Sequence, residues 1–292
     1  MSPALGVVTL VLITVVWGTT FAIVKDALDT IPVPLLLALR FSLAAACFAF
    51  VRFDRRALRP ALWLGLLAFA GFASQTIGLS LTSASNAAFI TGLAVVLTPM
   101  VAAVAWRRAV APRAYLAALV ATAGLGLLTL GEGGFAAVNA GDVWVLLTAL
   151  AYALYIVYLG EVAGRAPVFA LAGMQHLPMA LLAWAWAWPE RAALADVPLA
   201  TFGAIAYLAV VATALVAVLQ VAAQRAVAAP LAALVFVLEP VFATAFAAWW
   251  LGERLPPSGW LGGGLVLAAM LVSELRLAPG RRTPRRATGR EG

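Results

Sequence analysis

The 292-residue chain is 65% hydrophobic and 11% charged, with a formal net charge of +7 and a mean hydropathy of +1.03. Soluble domains run near 45–50% apolar and about 25% charged, so the composition excludes a soluble fold and indicates an all-α, polytopic membrane protein. The apolar stretches are continuous rather than alternating, which excludes an outer-membrane barrel. One cysteine, Cys47, leaves no internal disulfide and no thiolate metal cluster. Residues 1–4 lack the basic region of a removable leader, and none is expected.

In chain order the apolar runs cover residues 5–24, 34–51, 60–81, 84–106, 112–130, 141–162, 167–188, 199–221, 226–251 and 257–275. Each is long enough, or nearly so, for the roughly 20 residues that cross a hydrocarbon core as a helix. Several open on proline, which a first helical turn tolerates. Connections are short and hold no soluble domain. Fifteen cationic residues fall on one side of the alternating spans: Arg52, Arg55, Arg56, Arg59, Arg107, Arg108, Arg113, Arg165, Arg225, Arg276 and five in the tail. Three, Lys25, Arg191 and Arg254, fall on the other. This bias predicts that both termini are cytoplasmic. The tail, 277–292, is rich in Arg, Gly and Pro and reads as disordered, with anionic lipid as a candidate partner.

The ninth run is broken by Glu239-Pro240, and an acid at mid-span costs roughly 2.5–3.5 kcal/mol on insertion scales. A proline there frees a backbone carbonyl that lipid cannot satisfy, so the pair is expected to face other helices or a wet cavity. The fourth run echoes it. Set at an offset of 141, Thr98-Pro99 falls on Glu239-Pro240 and 86–88 falls on 227–229. Pro112 then falls opposite Pro257, with a longer loop in the second copy. In-register prolines point to an internal duplication. Two copies of five spans place the second upside down, the inverted repeat of many secondary carriers, whose sites lie at midplane between the copies. The expected units are 1–131 and 141–276.

Arg40 lies within the second span, and its role is open between snorkelling or an ion pair and contact with a substrate carboxylate. An offset of 135 pairs Pro32 with Pro167 and sets Gln175 opposite Arg40, beside the lone histidine, His176. That histidine is either a hydrogen-bonded core residue or a proton relay. Without His or Cys partners it gives no metal site, and no cofactor is expected. Glu239 is the one acid deep in a span, either capping backbone near Pro240 or coupling transport to protons. Gln75, Asn86, Gln175 and Gln220 suit interhelical hydrogen bonds or a cavity wall. Trp17, Tyr152 and Tyr155 sit at depth on the first and sixth spans, which are equivalent in the two copies, and are candidates to line a cavity. Trp184, Trp186 and Trp188 read as an interface belt. Small residues at Ala70, Ser74 and Gly78, and at Gly259 and Gly263, read as close helix packing.

The chain lacks the paired acids, metal motif or serine–base set of an intramembrane hydrolase, so no enzyme is expected. It lacks a Walker A motif, so no ATPase. A pseudo-symmetric bundle with a mid-span Glu-Pro fits alternating access better than a pore. Trp17-Gly18-Thr19-Thr20-Phe21, Arg40, Leu238-Glu239-Pro240 and the ending Leu251-Gly252-Glu253, in that order across a duplicated chain, resemble the drug/metabolite transporter superfamily of EamA type. The chain is also similar to YddG-type aromatic amino-acid exporters. The first copy departs from the pattern, with Trp106-Arg107-Arg108 where the second has Leu-Gly-Glu. The resemblance implies a monomeric carrier of the bacterial inner membrane. It would export small organic metabolites, most concretely aromatic or other apolar amino acids, without nucleic acid. A proton-coupled antiporter of drugs or other metabolites, or a non-transporting assembly factor, stays open as an alternative. With both ends cytoplasmic, a reporter fused after Gly292 that is active only outside the cytoplasm is expected to stay silent; a signal would overturn the topology.

Overall fold

The computed structural model describes residues 1–107, 112–130, 139–227, 232, 235–236 and 238–274, and every element among them is helical. The tail, and most of the first half of the run 226–251, lie outside the described residues. α1 (Pro3–Ala27) starts at Ser2, whose side chain accepts from the Leu5 N–H, with proline in the first turn. α2 (Val33–Ala46) follows Pro32 and stops short of the predicted 51. Its apolar continuation tightens into turns closed by Phe48 N–H to Ala45 O and Val51 N–H to Phe48 O. α3 (Arg55–Leu81) starts five residues earlier than the run from 60, because Asp54 caps it and Pro60 sits early in the helix instead of opening it. α4 (Ala84–Trp106) is capped by Ser83 and contains Pro99; α5 covers Pro112–Leu130. α6 (Ala140–Val162) is capped by Asn139.

The run 167–188 divides. α7 (Val168–Met174) and α8 (His176–Ala187) meet at Gln175. Pro178 has no N–H for the Met174 carbonyl and its ring crowds that turn, which breaks the ladder at this point. A 3-10 helix, Trp188–Asp196, follows. α9 (Leu199–Ala206) runs through a π-helical stretch, Tyr207–Leu215, into α10 (Val216–Ala226). α11 (Glu239–Trp250) and α12 (Pro257–Glu274) complete the described chain. Six helical stretches among the described residues are long and apolar enough to cross a membrane, and α2 and part of α12 form shorter apolar helices.

Packing repeats between the halves. α3 lies against α6 as α10 lies against α1, and α4 lies against α6 as α11 lies against α1. α2 with α8 and α5 with α12 pair like with like. The contacts depend on small residues. Down the α3–α6 seam, Gly71 faces the Tyr152 ring, Ser74 shares a 2.8 Å hydrogen bond with Thr148, and Gly78 faces Gly141. Ala70, read into this stripe, is instead exposed. At the matching seam, Gly6 faces Ala223 and Val227. Trp184 is no belt residue: its indole N–H donates to Ser42 Oγ at 2.8 Å and ties α8 to α2, while Trp188 is 61% exposed.

A Cβ on Gly78 would stand 2.4 Å from Val145 Cγ2 and 2.7 Å from Gly141 O. Gly78→Leu is therefore expected to destabilise the bundle by about 1–3 kcal/mol, read as a lowered melting temperature in detergent. Gly203→Ala, where nothing lies within 4 Å, is expected to leave that temperature almost unchanged.

Candidate transport cavity

A cavity with about 930 Å³ of empty space, its mouth included, lies between the two halves. Trp17 from α1, Arg40 from α2, Gln75 from α3, Tyr152 and Tyr155 from α6, Gln175 and His176 from the α7–α8 break, and Glu239 from the start of α11 all line it. One residue expected there, Asn86, does not. It is half-buried in the first turn of α4, its N–H bonded to Ser83 Oγ. Pro99 lies further along α4, off the wall. Pro240 is buried behind the wall, against Gly92.

Arg40 is 2% exposed, so it does not snorkel to the headgroups. Its Nε–H donates to Thr213 Oγ at 2.8 Å. Thr213 in turn donates to Leu208 O, five residues back, at 2.7 Å, a reach that belongs to the π-helical geometry there. The guanidinium sits 4.5 Å over the Phe72 ring, and Tyr152 meets that ring edge-on at 5.8 Å. Among the described residues no acid forms an ion pair with Arg40, so its terminal N–H groups are left to the cavity. Tyr152 lies within electrostatic reach of both Arg40 and Glu239.

Amides line the wall in the same way. Tyr155 O–H donates to Gln175 Oε1 at 3.0 Å, and Gln175 Nε2 donates to Ala172 O at 3.3 Å, a partner for one carbonyl beside the break. Gln75 Nε2 donates to Thr91 Oγ1 at 3.2 Å. His176 stacks on Phe48 at 5.4 Å, and its buried Nδ1 has no partner among the described residues. Trp17 packs on Phe236 at 5.5 Å.

Glu239 reaches the cavity wall, as a mid-span acid is expected to. The Glu-Pro pair opens α11, where the missing proline N–H is no loss. The Glu239 carboxylate accepts no hydrogen bond from a described residue, and it faces the cavity at a helix N-terminus, a favourable end for negative charge. A cap is supplied instead at another helix start, by Glu253. Its carboxylate accepts from Ala84 N–H at 2.8 Å, Ser85 N–H at 3.0 Å and Ser85 O–H at 2.8 Å, closing the start of α4.

Sequence reading missed Phe72, Thr91, Thr213 and Phe236. Phe72 had a signal, standing three residues before Gln75 on one helical face. Thr213 had none, because the π-helical stretch shifts its register.

Residues 4–130 and 139–274 each match the EamA-like transporter family. A relative from Archaeoglobus fulgidus, described as an uncharacterized transporter, is 29% identical over 269 residues, 92% of this chain and 85% of its own. A solved crystal structure at 17% identity superposes with a TM-score of 0.62 over 90% of this chain and 94% of the other, a likeness of fold alone. The chain belongs to the EamA-like transporter family, a membrane transporter of two repeats.

Thr213→Val keeps the shape of the wall but leaves Arg40 Nε–H buried without its acceptor. It is expected to lower stability by about 1–3 kcal/mol, measured by thermal unfolding in detergent.

Proposed function

We propose that the protein carries small amphipathic organic solutes out of the cytoplasm by alternating access, most concretely amino acids with aromatic or other apolar side chains. Ten spans in two inverted halves, both ends cytoplasmic, would form a monomeric carrier of the bacterial inner membrane. The observation that carries the reading is Arg40: a buried cation, fixed at Nε by Thr213 and at its face by Phe72, with its remaining donors turned to an aromatic cavity. A guanidinium fork suits a carboxylate. Glu239 supplies the opposite charge from the other half and suits a substrate ammonium. The rings of Trp17, Phe72, Tyr152 and Phe236 suit an apolar side chain. Each half then contributes one charged end of a zwitterion's binding site.

Counterflow in proteoliposomes tests this with labelled phenylalanine, its amine lacking the carboxylate, and its acid lacking the amine. Wild type is expected to exchange the zwitterion best. Arg40→Gln is expected to lose at least tenfold of the preference over the amine, and Glu239→Gln as much of the preference over the acid. No exchange of any amino acid by folded wild type would overturn the substrate class. A second reading is favoured by the same free carboxylate. If Glu239 carries protons, Glu239→Gln will lose export driven by a pH gradient and keep solute exchange. Trp17→Ala, Tyr152→Ala and Tyr155→Ala are expected to impair exchange in inserted protein; unchanged exchange in all three would remove the cavity from the pathway.

A further inference from the structure

A second concavity lies apart from the central cavity. It encloses about 1130 Å³ of empty space, mouth included, between the start of α3 and the last turns of α6. Arg56, Arg59, Pro60, Trp63 and Leu67 form one wall, and Leu154, Tyr158 and Arg165 the other. The α3 residues recur every three or four positions, so they share one face. The groove is graded: three guanidinium groups at one end, Trp63 and Tyr158 in the middle, Leu67 and Leu154 below. Arg56 and Leu67 are separated by about 16 Å of helix rise, the depth from a headgroup into the acyl region.

Among the described residues no acid lines the groove. Asp54 is turned to α3's first turn, where its Oδ1 accepts the Arg56 N–H at 2.8 Å, and Glu161 on α6 is itself partnered. Trp63 is 50% exposed, and Leu58 and Leu62 beside it are as open, so this part of α3 faces the bilayer. A soluble phosphate would occupy only the cationic end. A phospholipid fills the grade: its phosphate on the arginines, its glycerol region between the two aromatic rings, its chain on the leucines.

We propose that this groove is a specific site for one anionic phospholipid, taken from the leaflet on the arginine-rich side of the membrane. Each guanidinium presents paired donors to phosphate oxygens, and the tryptophan and tyrosine hold the interfacial depth. The site is separate from the transported solute and needs no tail.

Native mass spectrometry of the purified full chain, offered phosphatidylglycerol against phosphatidylcholine in detergent, tests the proposal. Wild type is expected to retain phosphatidylglycerol at least tenfold better. Arg56→Gln, Arg59→Gln and Arg165→Gln are each expected to lower that preference by about fivefold, the equivalent of roughly 1 kcal/mol per cation, and the triple variant to abolish it. If the triple variant does not fold, the single variants decide. Trp63→Ala keeps every charge and is expected to lose retention as well, which a mere charge count would not predict. Replacing the five tail arginines, 281, 282, 285, 286 and 290, by Gln is expected to leave the preference intact. Equal retention of both lipids by wild type, full preference in the groove variants, loss in the tail variant alone, or displacement of the lipid by excess inorganic phosphate would each overturn the proposal.

Discussion

A chain in hydrocarbon must satisfy its backbone from within, and this constraint decides where the helices are allowed to break. The described interruptions inside the bundle gather around one cavity. Pro178 breaks the ladder at Gln175 and His176, both on the wall. The π-helical stretch sets Thr213 under Arg40. Glu239 begins a new helix at the wall. At each place the irregular backbone buys a polar group at a depth where a regular helix would present apolar surface. Gln175 shows the coupling most directly, since its amide both serves a carbonyl beside the break and holds Tyr155 at the cavity.

The duplication gives two halves a common packing plan but not a common chemistry. The seams α3–α6 and α1–α10 use the same device, a glycine that lets the neighbouring helix approach closely. On the wall the equivalent positions diverge, Trp17 matching Tyr152 and Arg40 matching Gln175, while Glu239 matches Thr98, which does not line the cavity. The cation therefore comes from the first half and the acid from the second. A symmetric cavity would hold like charges together or none. This one carries its cation and its acid on opposite halves.

Class, duplication and much of the wall were legible because they follow from features that sequence states directly. Apolar run length gives the spans, prolines give the register, and a charged or amide residue in an apolar run has few places to go. Arg40, Gln75, Gln175, His176 and Glu239 all reach the cavity for that reason. What was hidden depends on small geometric offsets. Asn86 has the right residue type but falls in a capped first turn. Pro178 was present in the run 167–188, yet its effect on the ladder shows only once the helix around it is built. Glu253 sits beside the open N–H groups of α4, a contact between distant parts of the chain that no local pattern states, while Glu239 stands at a helix start on the cavity wall.

The two ends of the bundle are joined across the repeats by different forces, and this bears on how such a carrier can move. At the end holding residues 82–85 and 139–142, the links between halves are hydrogen bonds. Thr82 O–H donates to Asp142 Oδ1 at 2.6 Å, Asn139 Nδ2 donates to Leu81 O, and Glu253 holds the start of α4. At the other end, Arg225 donates to Ala163 O and Ala166 O within its own half. There the halves meet through small apolar contacts, Gly6 on Val227 and Ala57 on Ala166 and Ala170. Apolar contacts lose dispersion energy as surfaces part but leave no polar group unpaired. Charge-assisted bonds to helix ends are lost as a set and expose backbone groups when they go. The hydrogen-bonded end is thus the one whose opening needs something in exchange, either water at the freed N–H groups or new partners. At that end the Lys25 ammonium also donates to Leu79 O and Thr82 O, both at 2.8 Å, and ties α1 to α3.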